Sequence, residues 1–247
     1  MIRNITADLL RNAPLFAGLP AAVLGDVAAD AALLSRRSGA RIFEEGSAAD
    51  SCYLLAAGRA KIVISGADGT EIAIGFVQPY TLVGEIALID AMPRSAAFIA
   101  VDDCRLVRIP AHRFLGLRKQ EEFNNQLLIH VAATLRRATE QLRAIYTFSA
   151  LERVAWCVAQ VAAIKGSVAG SELAIAPKPS HRELAEMSGA SRETVSRALV
   201  RLRTRRWLRW DAKNIYLDIR VFRRYFANNP GDAQSIAGAP RATTAAV

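Results

Sequence analysis

The stretch Gly84-Glu85-Ile86-Ala87-Leu88-Ile89-Asp90-Ala91-Met92-Pro93-Arg94-Ser95-Ala96 sets a glycine before a carboxylate, then a lone arginine nine residues further on. Gly84 lets the backbone approach another group closely. Glu85 opens a short helical turn, and the free amides of such a turn, together with one guanidinium, make a small anion site. A turn cap and a solvated surface arginine would read the same way, so the neighbouring sequence has to decide.

Outward from this stretch, residues 39–109 are short β runs punctuated by glycine. They include Arg41-Ile42-Phe43, Tyr53-Leu54-Leu55, Ala60-Lys61-Ile62-Val63-Ile64, Glu71-Ile72-Ala73-Ile74 and Arg105-Leu106-Val107-Arg108-Ile109. Ala67-Asp68-Gly69-Thr70 reads as a hairpin turn with Asp-Gly at its centre. Many short strands at this spacing predict a β sandwich or roll. Ala13–Gly25, broken by Pro14, Gly18 and Pro20 and preceded by Asp8 and Arg11, reads as a short amphipathic N-terminal helix and its turn, not a signal-peptide core.

Beyond Pro110 the period becomes helical. Leu128, Val131, Leu135, Ala138, Leu142 and Ile145 recur at alternating steps of three and four, with Arg136, Arg137, Glu140 and Arg143 off the stripe. An a/d stripe this narrow predicts a parallel dimer seam; a helix packed on its own domain's core is the competing reading. Residues 151–165 continue as helix, Gly166–Gly170 reads as a loop, and Leu173-Ala174-Ile175 as a short strand stopped by Pro177 and Pro179.

Ser180-His181-Arg182-Glu183 is a capping-box pattern. Its helix breaks at Ser188-Gly189-Ala190. Ser191 then caps a second helix whose inner face is Val195, Ala198, Leu199 and Leu202. Arg192, Glu193, Ser196 and Arg197 are left facing outward, and two helices joined by so tight a turn read as a helix-turn-helix. Trp207-Leu208-Arg209-Trp210 and Ile215-Tyr216-Leu217-Asp218-Ile219, joined at Asp211–Asn214, read as a wing hairpin, the structured part ending near Arg224.

The run GEIALIDAMPRSA resembles the phosphate-binding cassette of cyclic-nucleotide-binding domains, and SRETVSR resembles the recognition helix of the Crp–Fnr superfamily of transcription regulators. The resemblance covers most of residues 10–225, in the same motif order. It implies an α+β chain: an N-terminal β roll of the double-stranded jelly-roll type, a long dimerisation helix and a C-terminal winged helix-turn-helix. The implied bounds are a sensor domain at 1–125, dimer helix and hinge at 126–150, DNA-binding domain at 151–225 and a tail at 226–247.

The same resemblance implies that Arg94 meets a cyclic phosphate and Glu85 the ribose 2′-hydroxyl. The amides around Gly84, Ile86, Ala87, Ser95 and Ala96 complete the cradle. Alignment through Arg153 puts Thr139 near a purine-contacting position, with Ala138 where the family carries a second hydroxyl. Serine after Arg94 favours cyclic AMP over cyclic GMP. On DNA, Arg192 and Arg197 would donate to guanine edges and Glu193 would accept from a cytosine amine. His181, Arg182, Ser191, Thr194 and Ser196 would lie alongside, with Lys213 on the backbone and Arg201, Arg203, Arg205 and Arg206 reaching phosphates. Ser196 departs from the family's recognition helix. The implied partners are palindromic double-stranded DNA, a second copy of the chain and RNA polymerase.

Charge fits this division. Residues 1–150 hold 16 Lys+Arg against 15 Asp+Glu, whereas residues 151–225 hold 15 against 7. The second segment is drawn to a polyanion, whether nucleic acid, a membrane surface or an acidic partner. Cys52, Cys104 and Cys157 lie far apart without a CxxC pair, as expected of buried thiols in a reducing cytoplasm. They do not fit the cysteine set of an iron–sulfur sensor. His112, His130 and His181 form no catalytic or metal-binding pattern, and no apolar run reaches the ~18 residues of a membrane span. The tail is too poor in large apolar residues to offset its ordering entropy, so disorder is expected there. The reading is therefore a non-enzymatic regulator. A relative answering to another effector or to none, and a cyclic-nucleotide module for a protein partner, are the alternatives.

Overall fold

The computed structural model describes residues 2–226 apart from 68 and 70. Its elements run α1 (Ile2–Arg11), a 3-10 turn (Pro14–Phe16), α2 (Ala21–Asp30), β1 (Ala32–Arg36), β2 (Arg41–Phe43), β3 (Ser51–Ala57), β4 (Ala60–Ser65) and β5 (Glu71–Val77). Then follow β6 (Leu82–Val83), α3 (Ile86–Ile89), β7 (Ala97–Ala100), β8 (Cys104–Pro110), α4 (Ala111–Leu117) and α5 (Glu121–Thr147). After them come α6 (Ala150–Lys165), β9 (Gly166–Ala169), β10 (Glu172–Ile175), α7 (His181–Ser188), α8 (Arg192–Thr204), β11 (Leu208–Trp210), β12 (Ile215–Asp218) and α9 (Ile219–Phe226). Two compact units result, one ending at Glu140 and the other beginning at Gln141.

In the first unit two four-stranded antiparallel sheets, ordered β1-β8-β3-β6 and β2-β7-β4-β5, form the expected roll. Strand alternation sorts the core. Tyr53 and Leu55 of β3 join Val77, Phe98, Ala100 and Leu106 in one cluster. Cys52 and Leu54, pointing the other way, join Val107, Ile109 and the helical residues Leu24, Phe114 and Phe123. Each such Leu or Phe contributes about 1.5–3 kcal/mol by leaving water. The pairing of β4 with β5 confirms a hairpin; Asp68 and Thr70 of its expected turn lie outside the described residues.

Helix α5 carries two stripes. Phe123, Leu127 and the half-buried Val131, four residues apart, pack on the first unit's core. Leu128, Leu135, Leu142 and Ile145 are exposed, Leu135 at 68% and Leu142 at 54%. Val131 therefore packs on its own domain's core, whereas the Leu128-Leu135-Leu142 row is left uncovered by the described residues.

In the second unit a four-stranded antiparallel sheet, ordered β11-β12-β10-β9, accompanies α6 to α9. Gly166–Gly170, expected as a loop, contains strand β9, paired from Gly166 opposite Ile175 to Ala169 opposite Glu172. Gly170, at φ +64°, makes the turn. The first helices also differ from expectation. Helix α1 precedes Ala13 and α2 follows Pro20, because Pro14 and Pro20 suit the starts of helical turns. Ile219, expected at the end of a strand, starts α9; Asp218 there accepts the Arg220 amide at 2.8 Å. Of the tail expected to be disordered, 226–247, Phe226 instead closes α9, and 227 onward lies outside the described residues.

Candidate ligand pocket and candidate nucleic-acid interface

Strand β6 ends at Gly84, whose φ of +85° is a conformation that side chains disfavour. A Cβ there would run into Nη1 of Arg94 and come within 3.1 Å of Phe43. The glycine is thus required by the arginine packed against it. The Arg94 backbone is held by Gly46, whose amide donates to the Arg94 carbonyl at 2.8 Å; the Arg94 amide donates to the Ser47 carbonyl at 2.9 Å. The side chain turns inward. Nη1 donates to the Gly84 carbonyl at 2.6 Å and Nη2 to the Ser51 carbonyl at 2.5 Å. The guanidinium carbon stands 4.2 Å from the Phe43 ring centroid.

Arg94 is only 4% exposed, yet it forms no ion pair with any described residue, and its buried Nε has no hydrogen-bond partner. Burial pulls the guanidinium pKa down, while Tyr53, Cys52, Asp50 and Glu85 oppose that. An arginine nevertheless stays charged. A buried cation without a counter-ion is costly unless something supplies the anion. That is the chemistry of an anion-binding site.

Glu85 is also buried, at 3% exposure, and its Oε1 lies 3.0 Å from Nε2 of His130 on α5. Ser95 is exposed and Ala96 buried beside them. In the turn that follows, the amides of Leu88 and Ile89 donate to the Glu85 carbonyl, so those of Ile86 and Ala87 precede the first internal bonds. Thr139 is exposed, its hydroxyl donating to the Leu135 carbonyl at 3.0 Å. Burial raises the thiol pKa of Cys52, and the Glu85 carboxylate adds to the effect, so this cysteine is an unreactive neighbour. All three cysteines are buried and free. Sequence reading missed His130, Ser51 and Phe43. Only the packing of the sheets and of α5 brings them beside the cassette; no local spacing marks them.

The second site is built by caps. Ser180 and Glu183 close the capping box that begins α7, at 2.8 and 3.1 Å. Gly189 adopts the left-handed conformation that ends it. The Ser191 hydroxyl accepts the Thr194 amide at 3.1 Å to start α8. Val195, Ala198, Leu199 and Leu202 are buried with Leu184 and α6 residues. That leaves Arg192, Glu193 and Arg197 exposed on the opposite face, none in an ion pair with a described residue. Arg182 instead pairs with Glu186 on its own helix at 3.0 Å. Ser196, expected to face outward, is half-buried; its hydroxyl lies 2.9 Å from Nδ1 of His181 and donates to the Arg192 carbonyl at 3.0 Å. Arg203 and Arg205 lie over Trp210 and Trp207.

At the wing tip the Lys213 and Asn214 amides donate to Asp211 at 2.8 and 2.7 Å. They pull its carboxyl down to about 2. The carboxylate that accepts both amides of the turn exposing Lys213 is therefore ionised at neutral pH. Arg153 ties α6 to the helix pair through the Ser188 carbonyl, 2.9 Å away.

A phosphate-type cradle in the first unit and a capped helix pair with a basic outer face in the second define a known combination. Residues 33–121 match the cyclic nucleotide-binding domain, and residues 152–225 the Crp-like helix-turn-helix domain. The Cyclic AMP receptor protein of Thermus thermophilus is 30% identical over 196 residues, 77% of this chain and 85% of that protein. The chain belongs to the Crp–Fnr family. A CRP-like cAMP-activated global transcriptional regulator of Mycobacterium tuberculosis is 26% identical over 211 residues, 85% of this chain and 94% of its own length. In fold, this Crp–Fnr chain is similar to the c-di-GMP responsive global regulator CLP of Xanthomonas campestris. The TM-score is 0.68 at 19% identity, over 81% of this chain and 99% of that one. It is thus a Crp-like cyclic-nucleotide-binding transcription regulator, with the roll, long helix and helix-turn-helix of the family. Among the described residues no helix is long and apolar enough to cross a membrane.

Proposed function

We propose that the protein is a cyclic-AMP-responsive homodimeric regulator acting in the cytoplasm. It binds palindromic double-stranded DNA, meets RNA polymerase there and catalyses no reaction itself. The observation that carries the ligand reading is the buried Arg94, without a counter-ion among the described residues and with its Nε unpartnered there. A cyclic phosphate supplies the missing charge and acceptors. Gly84, Ile86, Ala87, Ser95 and Ala96 line the same segment, and Glu85 accepts from the ribose. Serine at 95 and the names of the relatives from Mycobacterium tuberculosis and Thermus thermophilus favour cyclic AMP over cyclic GMP.

Arg192, Glu193 and Arg197 stand exposed on the outer face of α8, in no ion pair with a described residue, ready for base edges. His181, Arg182, Ser191, Thr194 and Lys213 flank them. Ser196, with its hydroxyl on His181, stands beside them and links the start of α7 to α8. Leu128, Leu135, Ala138, Leu142 and Ile145 form the dimer seam, with Thr139 beside it as the purine contact. The proposed sensor, helix and DNA-binding segments are 1–125, 126–150 and 151–225.

Selection from random duplexes tests the DNA half of this reading. The expected product is a palindrome with TGTGA-like half-sites about one helical turn, ~34 Å, apart. Glu193→Ala should relax discrimination at one base pair per half-site, by roughly 1–3 kcal/mol. Recovery of no palindrome, or a variant profile matching the unmutated protein, would sink the assignment.

A further inference from the structure

His130 belongs to the long helix, not to the cassette, yet among the described residues it is the one side-chain partner of Glu85, at 3.0 Å. A carboxylate oxygen accepts, so a hydrogen bond at this distance is made with the imidazole N–H facing it as donor. Glu85 is buried, and its chain has three rotatable bonds. A single fixed donor on Oε1 therefore decides where Oε2 points. The turn of α5 that carries His130 is tied to the next. The His130 backbone carbonyl accepts from the Thr134 hydroxyl at 3.0 Å, which in turn accepts from Arg137 at 3.0 Å.

We propose that His130 is a positioning residue that sets the pocket's discrimination for the ribose 2′-hydroxyl: it orients the Glu85 carboxylate so that the free oxygen accepts from that hydroxyl. This rests on the cyclic-nucleotide reading of the cassette. The residue lies on α5, so the carboxylate that receives the sugar is held from the helix that also carries the exposed leucine row. One contact thereby joins ligand identity to the dimer helix.

The test is calorimetric affinity of the full chain for cyclic AMP and 2′-deoxy cyclic AMP, with the cyclic GMP pair in parallel. The unmutated protein, His130→Leu and His130→Gln are compared, with folding followed by circular dichroism. The unmutated chain should prefer the ribose form by about 10–100-fold, the size of one hydrogen bond to a charged group. His130→Leu should bring that ratio to within about threefold by weakening the ribose form alone. His130→Gln, which keeps an N–H donor, should restore much of it. An equal loss for both sugars, or an unchanged ratio, overturns the positioning role and leaves the cassette reading standing. Binding of neither nucleotide pair by the unmutated chain overturns both.

Discussion

Replacing Arg94 by alanine is expected to weaken cyclic-nucleotide binding by about 2–5 kcal/mol, the cost of truncating one side of a buried charge pair. The unliganded protein should lose far less. Its guanidinium is already out of water with no counter-ion, so the substitution removes an unfavourable buried charge as well as the two bonds to Gly84 and Ser51. The two effects separate in a melting experiment. Ligand at about 100 times its dissociation constant stabilises the folded state by about 2.7 kcal/mol. The unmutated protein should show that rise in Tm, and Arg94→Ala should not at the same concentration. Arg94→Lys is expected to recover little, because an ammonium lacks the planar fork. A variant that keeps its affinity would remove the phosphate from this pocket.

The double substitution Leu135→Asp, Leu142→Asp is expected to leave a folded monomer that binds the palindrome about 10²–10⁴-fold more weakly, the range by which linking two modules raises avidity. Both leucines are exposed at 68% and 54%, so neither supports its own domain's core. Charges there cost nothing in the monomer but are repelled and desolvated across a seam. Val131→Asp is the contrasting control. That side chain packs on the core with Phe123 and Leu127, so its loss should lower Tm as well. Sedimentation and operator binding decide the matter. A dimer of undiminished affinity would show that the exposed row is not the seam.

What could be read from the sequence was what local rules dictate. The capping box at Ser180, the N-cap at Ser191, the left-handed Gly189 and the inner face of α8 are all set by neighbours within a few residues, and each appears where the spacing put it. The helical period of α5 was legible too, but the face to which Val131 belongs was not. Val131 obeys both the seam period and the core period of Phe123 and Leu127, and only the packed domain decides between them.

Short pieces of sheet escaped for a related reason. Gly166–Ala169 has two small residues and one glycine, and becomes a strand only because β10 lies alongside. Strand β6 is two residues long, too short to show any period. The cassette itself could be read, including Gly84, Glu85 and Arg94. Its far wall could not. Phe43, Ser51 and His130 come from three elements spread over 88 positions of sequence, and no local pattern could mark them. Ser196 shows the same limit from the other side: its exposed position on a helical wheel gives no hint of His181 beside it.

The central claim is that nucleotide and operator favour one another through α5. The cassette and the recognition helix lie in different units of the chain, and a ligand that couples them does so by biasing a state that both units share. Linkage then requires each ligand to raise the other's affinity by the same factor, typically about 5–150-fold. The direct measurement is the affinity of the full chain for its selected palindrome at fixed salt, with and without saturating cyclic AMP. A gain within that range, matched by an equal gain in nucleotide affinity when the palindrome is present, is the predicted result. Equal operator affinities with and without nucleotide would contradict it.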